Sequence, residues 1–428
     1  MTLLVPLALL GLLLAMGLPV ALSLLLAGSC GLLLVGGTDL VIGVLGSAPA
    51  SSLGNYELLT IPMFLLMAEF MIASGVASQL FGAIANWTGR VPGGLGVATA
   101  VAGAAFGAIS GSSTAAAATL SNTSIPVMMK QGYKPDFAAG IVSISGTLAM
   151  IIPPSIAIIF YGLLSGANIG KLLIAGLVPG ALVTLAIMLT IWVLIMRDPA
   201  LAPAASRTPW LLKVRSLSVA GPFFLLLGLV TGAIYTGVAT PVEASALGAL
   251  GAMLLALSYG RLKFVTLKTA VLNTCITSAM ISLIVVCAQV FGYFLTMTGA
   301  TQNLVDWVSS LDVSRYAVLA FLVVLYLVLG FFLDQLSILI LTVPVVLPVV
   351  TKLGFDPIWF GMIVILLAEV GMVTPPVGMN VFVVSRTAGL PVEKVFRGVF
   401  PHVIAHLILI CLLIIFPSIV LWLPNKMG

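Results

Sequence analysis

The chain has 428 residues, of which 61% are hydrophobic and 7% charged, with a net charge of +5. Its mean hydropathy is +1.28. That balance excludes a soluble domain and points to an all-α polytopic membrane protein whose main surroundings are the lipid bilayer. The basic residues are scattered over connecting segments, which excludes a nucleic-acid-binding patch. The four cysteines (Cys30, Cys275, Cys287, Cys411) lie in apolar runs without ligand spacing and read as packing residues.

In chain order, a first helix is expected from Leu3 to Val35, ended by Gly36-Gly37-Thr38-Asp39. It lacks a basic start and is too long for a signal peptide, so it reads as a retained crossing. A second helix runs from Glu57 to Trp87, followed by Arg90. Gly94 to Ile109 and Ala115 to Met129 then flank Ser110-Gly111-Ser112-Ser113-Thr114. Each arm is ~15–16 residues, shorter than the ~20 of a full crossing, so the stretch at about 94–130 reads as a re-entrant hairpin. The bland alternative is one long helix with a polar kink.

A helix from 135 to 166 is interrupted at Ile151-Ile152-Pro153-Pro154-Ser155. Adjacent prolines remove backbone donors and clash with the preceding turn, so the helix must open. Lys171 to Met196 is the next crossing. The hydrophilic segment 197–216, with Arg197, Arg207, Lys213 and Arg215 against Asp198, reads as a linker. Helices follow at about Leu217 to Tyr235, Pro241 to Tyr259 and onward to Met297. Thr240-Pro241-Val242-Glu243 has the pattern of a capping box. A second hairpin at about 316–352 has its tip at Leu333-Asp334-Gln335-Leu336-Ser337. The helix from 357 to 386 is broken at Thr374-Pro375-Pro376-Val377-Gly378-Met379-Asn380, and Val399 to Leu423 is the last crossing.

The two breaks lie 222 positions apart, and that offset is general. Without a gap it gives thirteen identities between 126 and 179, among them Pro126 with Pro348, Lys130 with Lys352, Gly132 with Gly354, Pro135 with Pro357 and Gly176 with Gly398. The chain therefore reads as two repeats, 1–196 and 217–428, joined by the linker at 197–216. The linker and the basic loop at 261–268 are placed in the cytoplasm by their Lys and Arg content. Tracing from them gives nine full crossings, a cytoplasmic N-terminus and a periplasmic C-terminus. Five crossings separate the hairpins, so the repeats are inverted. Arg315 and Lys352 fall on the outer side against this bias.

Non-helical backbone at membrane depth survives only where it is buried in protein or lines a cavity. Paired interruptions at matching places are the sequence pointer to a secondary transporter's site. Helix N-termini there favour anions, and freed carbonyls favour cations. Hydroxyl, amide and carbonyl oxygens suit Na⁺ as coupling ion. The expected ion ligands are Ser110, Gly111, Ser112, Ser113, Thr114, Pro153, Pro154, Asp334, Thr374, Pro375, Pro376 and Gly378. The expected solute contacts are Ser112, Ser113, Ser155, Gln335, Val377 and Asn380. Glu369, just before the second break, reads equally as a functional or a paired structural acid, and Glu69 as structural. Arg386 lies ten residues past Pro376 and reads as an interfacial, snorkelling residue. His402 and His406 have metal-compatible spacing but no third ligand. Ala108-Ile109-Ser110-Gly111 approaches the Gly-x-Ser-Gly of rhomboid-type proteases without its first glycine or a base. No catalytic site and no organic cofactor are expected.

Several motifs carry a family resemblance. The Ser-Gly-Ser-Ser tip, Ser124-Ile125-Pro126-Val127-Met128-Met129-Lys130-Gln131-Gly132-Tyr133 and Ile151 to Ser155 resemble the first repeat of TRAP (tripartite ATP-independent periplasmic) large membrane subunits, the DctM-like permeases. Ala239-Thr240-Pro241-Val242-Glu243-Ala244, Gly354-Phe355-Asp356-Pro357 and Thr374 to Asn380 resemble later parts of the same family. The resemblance implies an elevator-type, Na⁺-coupled importer of organic anions in the bacterial inner membrane. It also implies a small four-helix (DctQ-like) membrane subunit and a periplasmic solute-binding (DctP-like) protein as partners. Many such proteins carry an acid shortly after the first tip, where this chain has only Ala115 to Ala118. A self-sufficient dicarboxylate/Na⁺ symporter is the alternative, and an intramembrane serine hydrolase the remote one.

Overall fold

A computed structural model describes residues 2–88, 91–203, 209–311 and 313–427. Arg90 and Arg207, both counted among the basic loop residues, lie outside the described residues. The first half contains α1 (Leu4–Ala15), α2 (Val20–Leu53), α3 (Thr60–Ser74), α4 (Val76–Thr88), α5 (Gly94–Ser110), α6 (Ser113–Thr123), α7 (Ile125–Lys130), α8 (Pro135–Thr147), α9 (Ile156–Ser165) and α10 (Ile169–Arg197). The second contains α11 (Trp210–Tyr235), α12 (Pro241–Ser258), α13 (Phe264–Met297), α14 (Ala300–Ser310), α15 (Arg315–Phe332), α16 (Gln335–Lys352), α17 (Pro357–Gly371), α18 (Met379–Ala388), α19 (Val392–Ile415) and α20 (Ser418–Leu421). No strand occurs among the described residues.

Eight helices among the described residues are long and apolar enough to cross a membrane. They include both arms of the second hairpin. They exclude both broken helices, because neither half of either one reaches the length of a crossing.

Several boundaries differ from the sequence expectation. The first helix is two, because the chain turns at Gly17 and Pro19 between α1 and α2. The stretch Gly36 to Asp39 breaks the run as expected: Gly37 has a non-helical backbone (φ 71°, ψ −166°), and a second helical segment of α2 follows it to Leu53. The second expected helix divides at Gly75, whose left-handed backbone (φ 69°) ends α3. Helix α11 begins at Trp210, inside the segment expected to be linker. The amphipathic α14 was not expected. The last long helix spans Val392–Ile415, earlier than the 399–423 expected, because Pro417 interrupts the run.

The helices pack in two groups. In the first, α2 lies along α13 and α3 along α12, with α11 against α4 and α12. The second group holds both hairpins, both broken helices, α10 and α19. In it α5 packs on α8 and α15 on α17, while α6 packs on α18 and α16 on α9. Each second hairpin arm thus lies on the distal half of the other broken helix. Glycines allow the backbones in this group to touch. A Cβ on Gly371 would lie 2.4 Å from the Gly330 Cα, and one on Gly140 would lie 2.2 Å from the Gly398 carbonyl carbon. Such close approach is how helices gain packing where lipid offers no hydrophobic drive.

Candidate functional site: the two helix breaks and the hairpin tips

The first break follows α8 and a 3₁₀ turn at Leu148–Met150. Its peptide bond between Pro153 and Pro154 is cis. Both prolines are buried, as is Ser155. The Ser155 hydroxyl donates to the Met150 carbonyl at 2.6 Å and accepts from the Ile158 amide at 3.3 Å, so it caps α9. Helix α10 closes on the break at Gly176, where a Cβ would fall 2.6 Å from the Ile151 oxygen.

The second break follows α17. The peptide bond between Pro375 and Pro376 is likewise cis, but both of these prolines are exposed. The Thr374 hydroxyl donates to the Val370 carbonyl at 2.6 Å. Gly378 has a left-handed backbone (φ 60°), with Phe396 and the Thr374 oxygen where a Cβ would go, so glycine is required there. The Asn380 amide donates back to the Met372 carbonyl at 3.1 Å and bridges the gap. The Asn380 side chain is wholly buried, yet neither its oxygen nor its nitrogen has a partner among the described residues. An unsatisfied buried carboxamide of this kind costs about 1–3 kcal/mol.

The first hairpin tip lies against the first break and against the helix that leads to the second. A small cavity is lined by Ser110 and Gly111 of the tip, Pro154 and Ile156 of the first break, and Phe64, Leu65 and Ala68 of α3. From the other side of the tip, Ser113 reaches the second broken helix. Its Oγ lies 2.7 and 2.6 Å from the two oxygens of the fully buried Glu369. The remaining tip hydroxyls are held loosely. Ser110 Oγ donates to the Ser112 carbonyl at 3.3 Å, and Ser112 and Thr114 hydroxyls are 3.3 Å apart. Ser112 caps α6 by accepting from the Ala115 amide.

At the second tip, Asp334 caps α16, accepting from the Ser337 amide and hydroxyl. Its carboxylate is therefore engaged in helix capping at an exposed position. Gln335 is buried and donates to the Ile365 carbonyl at 3.4 Å, one turn before Glu369, while its own carbonyl oxygen has no partner among the described residues. Gly330 against Gly371 holds this hairpin beside the second break.

Of the expected residues, the structure thus gathers Ser110 to Thr114 with Pro154 and with the helix before the second break. It sets Gln335 on that same helix and buries Asn380 in the element that packs on α6 and α8. Val377 is half-buried within the second break. Glu369 is the pairing that spacing alone left undecided, since nothing in the sequence joins it to Ser113. Glu243 forms the expected capping box with Thr240. Glu69 accepts from Asn273 at 3.2 Å and joins α3 to α13. No group of three or more metal-binding side chains occurs among the described residues. His402 and His406 are buried on α19, and no hydrogen bond joins either to Ser110.

The family description for the DctM component of tripartite ATP-independent periplasmic transporters matches residues 7–419. The chain belongs to this family. It is 34% identical over 377 residues to the C4-dicarboxylate TRAP transporter large permease protein DctM of Pseudomonas aeruginosa, covering 87% of each chain. It is 32% identical to the sialic acid TRAP transporter large permease protein SiaM of Vibrio cholerae, covering 97% of this chain and 96% of that one. Among solved structures, the Alcanivorax borkumensis YdaH transporter is similar in fold, with a TM-score of 0.65 at 15% identity over 90% of this chain and 91% of that one. The permease is thus a multi-pass membrane transport protein, and its relatives are permeases rather than enzymes.

Proposed function

We propose that this permease imports a small organic anion by Na⁺-coupled secondary transport, receiving it from a periplasmic binding protein and working with a small membrane subunit. The observation that carries the reading is that the first hairpin tip meets the first break and, through Ser113 and Glu369, the helix leading to the second, while Asn380 and Gln335 on neighbouring elements keep buried, unpartnered side-chain groups. Unsatisfied buried groups are retained where a ligand completes them. The tip hydroxyls and the opened carbonyls are hard oxygens that fit a dehydrated Na⁺. Ser110, Ser112, Thr114 and the backbone of the breaks would hold it, and it would supply positive charge for the anion. Asn380, Gln335 and the N-terminus of α6 would orient the solute.

The packing also supports two inverted repeats moving as an elevator. Under the 222-residue offset α2 falls on α12 and α3 on α13, so the α2–α13 and α3–α12 pairs exchange. The offset likewise carries Ala149, which meets Gly107, onto Gly371, which meets Gly330. The hairpins and broken helices would form the moving group, and α2, α3, α12 and α13 the fixed one. The orientation read from Lys and Arg puts the ends of α2, α9 and α13 in the periplasm.

Relatives named for C4-dicarboxylates, sialic acid and 2,3-diketo-L-gulonate define the range of solutes to try. An isethionate permease named DctMQ, of which this chain covers 64%, supports a second membrane component. Proteoliposomes holding the permease, its small subunit and the binding protein should accumulate solute only with an inward Na⁺ gradient. Uptake that ignores Na⁺ would reject the coupling, and full uptake by the permease alone would reject the tripartite assembly.

A further inference from the structure

One polar cavity lies away from the helix breaks. It has a volume of about 440 Å³ and lies between the two groups of helices. One wall is the end of α2 with α13, and the other is Leu163 and Leu164 of α9 with Pro344 of α16. Pro344 is nine residues along α16 from Gln335, or about 14 Å of helix, so one small solute cannot occupy this cavity and the second tip together.

The polar side chains of the lining are all uncharged: Ser51, Ser52, Asn55, Gln289, Tyr293 and the threonines 296 and 301. Gln289 lies about two turns from the end of the apolar helix α13, where a polar side chain on an otherwise apolar crossing is costly unless bonded. It is fixed in place. The Ser52 hydroxyl donates to its oxygen, and its nitrogen donates to Ser51 Oγ at 3.1 Å and reaches Tyr293 Oη at 3.5 Å. Two of these bonds already join α2 to α13, and helix association alone would need no cavity. Such a lining offers many donors and acceptors but no charge, within the ~300–1,000 Å³ range of small-molecule sites.

We propose that this cavity is a staging site for solute, separate from the breaks, and that it selects hydroxyl-rich acids of the sugar-acid type over plain dicarboxylates. The proposal rests on the transport reading above and adds a substrate class to it. Hydroxyls of the solute would exchange hydrogen bonds with Gln289, Tyr293 and Asn55. Both solutes are anions and the lining has no cation to meet them, so a dicarboxylate, with two carboxylates and no hydroxyls, is disfavoured more than a sugar acid with one carboxylate and many hydroxyls. The cavity lies where α2, α9 and α13 end, which is the face the orientation assigns to the periplasm.

The test uses the full chain with Cys30, Cys275, Cys287 and Cys411 replaced by alanine and a reporter at the rim, Thr296→Cys. Its alkylation rate is measured with D-gluconate or succinate present. Gluconate should slow labelling several-fold, succinate should not, and Gln289→Leu should remove the protection. Tyr293→Phe, which deletes one hydroxyl, should weaken it and serves if Gln289→Leu does not fold. Equal protection by succinate, no protection by gluconate, or protection that survives both variants would overturn the proposal. The labelling needs no ion gradient. Absence of gluconate protection in the reporter protein itself, with intact Na⁺-driven uptake, therefore rejects the staging site alone, and protection without Na⁺-driven uptake rejects the coupling alone.

Discussion

The two proline breaks share a sequence and a local shape but differ in their surroundings. At Pro153 and Pro154 the chain is buried, with α10 closed on it at Gly176 and the first hairpin tip against Ile156. At Pro375 and Pro376 the same dipeptide is exposed. Local chemistry opens the helix in both places, since a proline pair cannot continue it. Neighbouring elements decide whether the opening is covered. Under the proposed elevator reading, access would change by one helix group sliding past the other, without either break refolding.

The largest effect expected from this contrast concerns one side chain at each break. Asn380→Leu replaces an unpartnered buried carboxamide by an apolar group of similar size. It should abolish Na⁺-driven uptake while leaving thermal stability unchanged or raised, by up to about 1–3 kcal/mol. Ser155→Ala at the covered break removes a cap with two hydrogen bonds, and should instead lower stability by roughly 1 kcal/mol. Paired melting and uptake measurements distinguish the two. If both variants lose stability alike, the Asn380 side chain is bonded in the native state and the breaks are not functionally distinct.

A second effect bears on exposure itself. In a cysteine-free background, Thr374→Cys should react quickly with a polar maleimide, and Ser155→Cys slowly. Na⁺ and solute should change the Thr374→Cys rate more than the other. Equal rates would show that the covered and open breaks interconvert freely, and the contrast would then describe one member of a rapid equilibrium.

The sequence made the breaks and tips legible because proline, glycine and serine clusters act locally on the backbone. Thr374, Pro375, Pro376 and Gly378 form an interruption whatever packs on them. The same residues carry the 222-residue offset on which the expectation of a repeat rests. What escaped was set by distant partners. The Ser113–Glu369 pair joins residues 256 positions apart. Asp334, an expected ion ligand, also caps α16 through Ser337, a local partner that its Asp-x-x-Ser spacing makes legible.

The smallest expected effect lies at the entrance to the first broken helix. Lys134, which precedes α8, donates to Asp198 at 2.7 Å, and the Lys134 amide donates to the Leu201 carbonyl. The end of α10 is thereby tied to the start of the first broken helix. The Lys134 hydrogen bond, aided by the Ala200 amide and the charge of Lys134, holds the Asp198 carboxyl below its ordinary value of 3.8. A depressed folded value means that the stabilisation is present in full above the ordinary value and is lost as pH falls through the folded one. Both side chains are exposed, so solvent and salt screen the pair and the contribution is small. The melting difference between the wild type and Asp198→Asn should be slight at neutral pH, shrink in high salt, and vanish under acid. The second break has a different entrance, where Asp356 caps α17 through the Ile358 and Trp359 amides. Asp356→Asn keeps an acceptor there, so it should respond less to salt. A salt response as large at Asp356 as at Asp198 would mean that the two entrances are held in the same way.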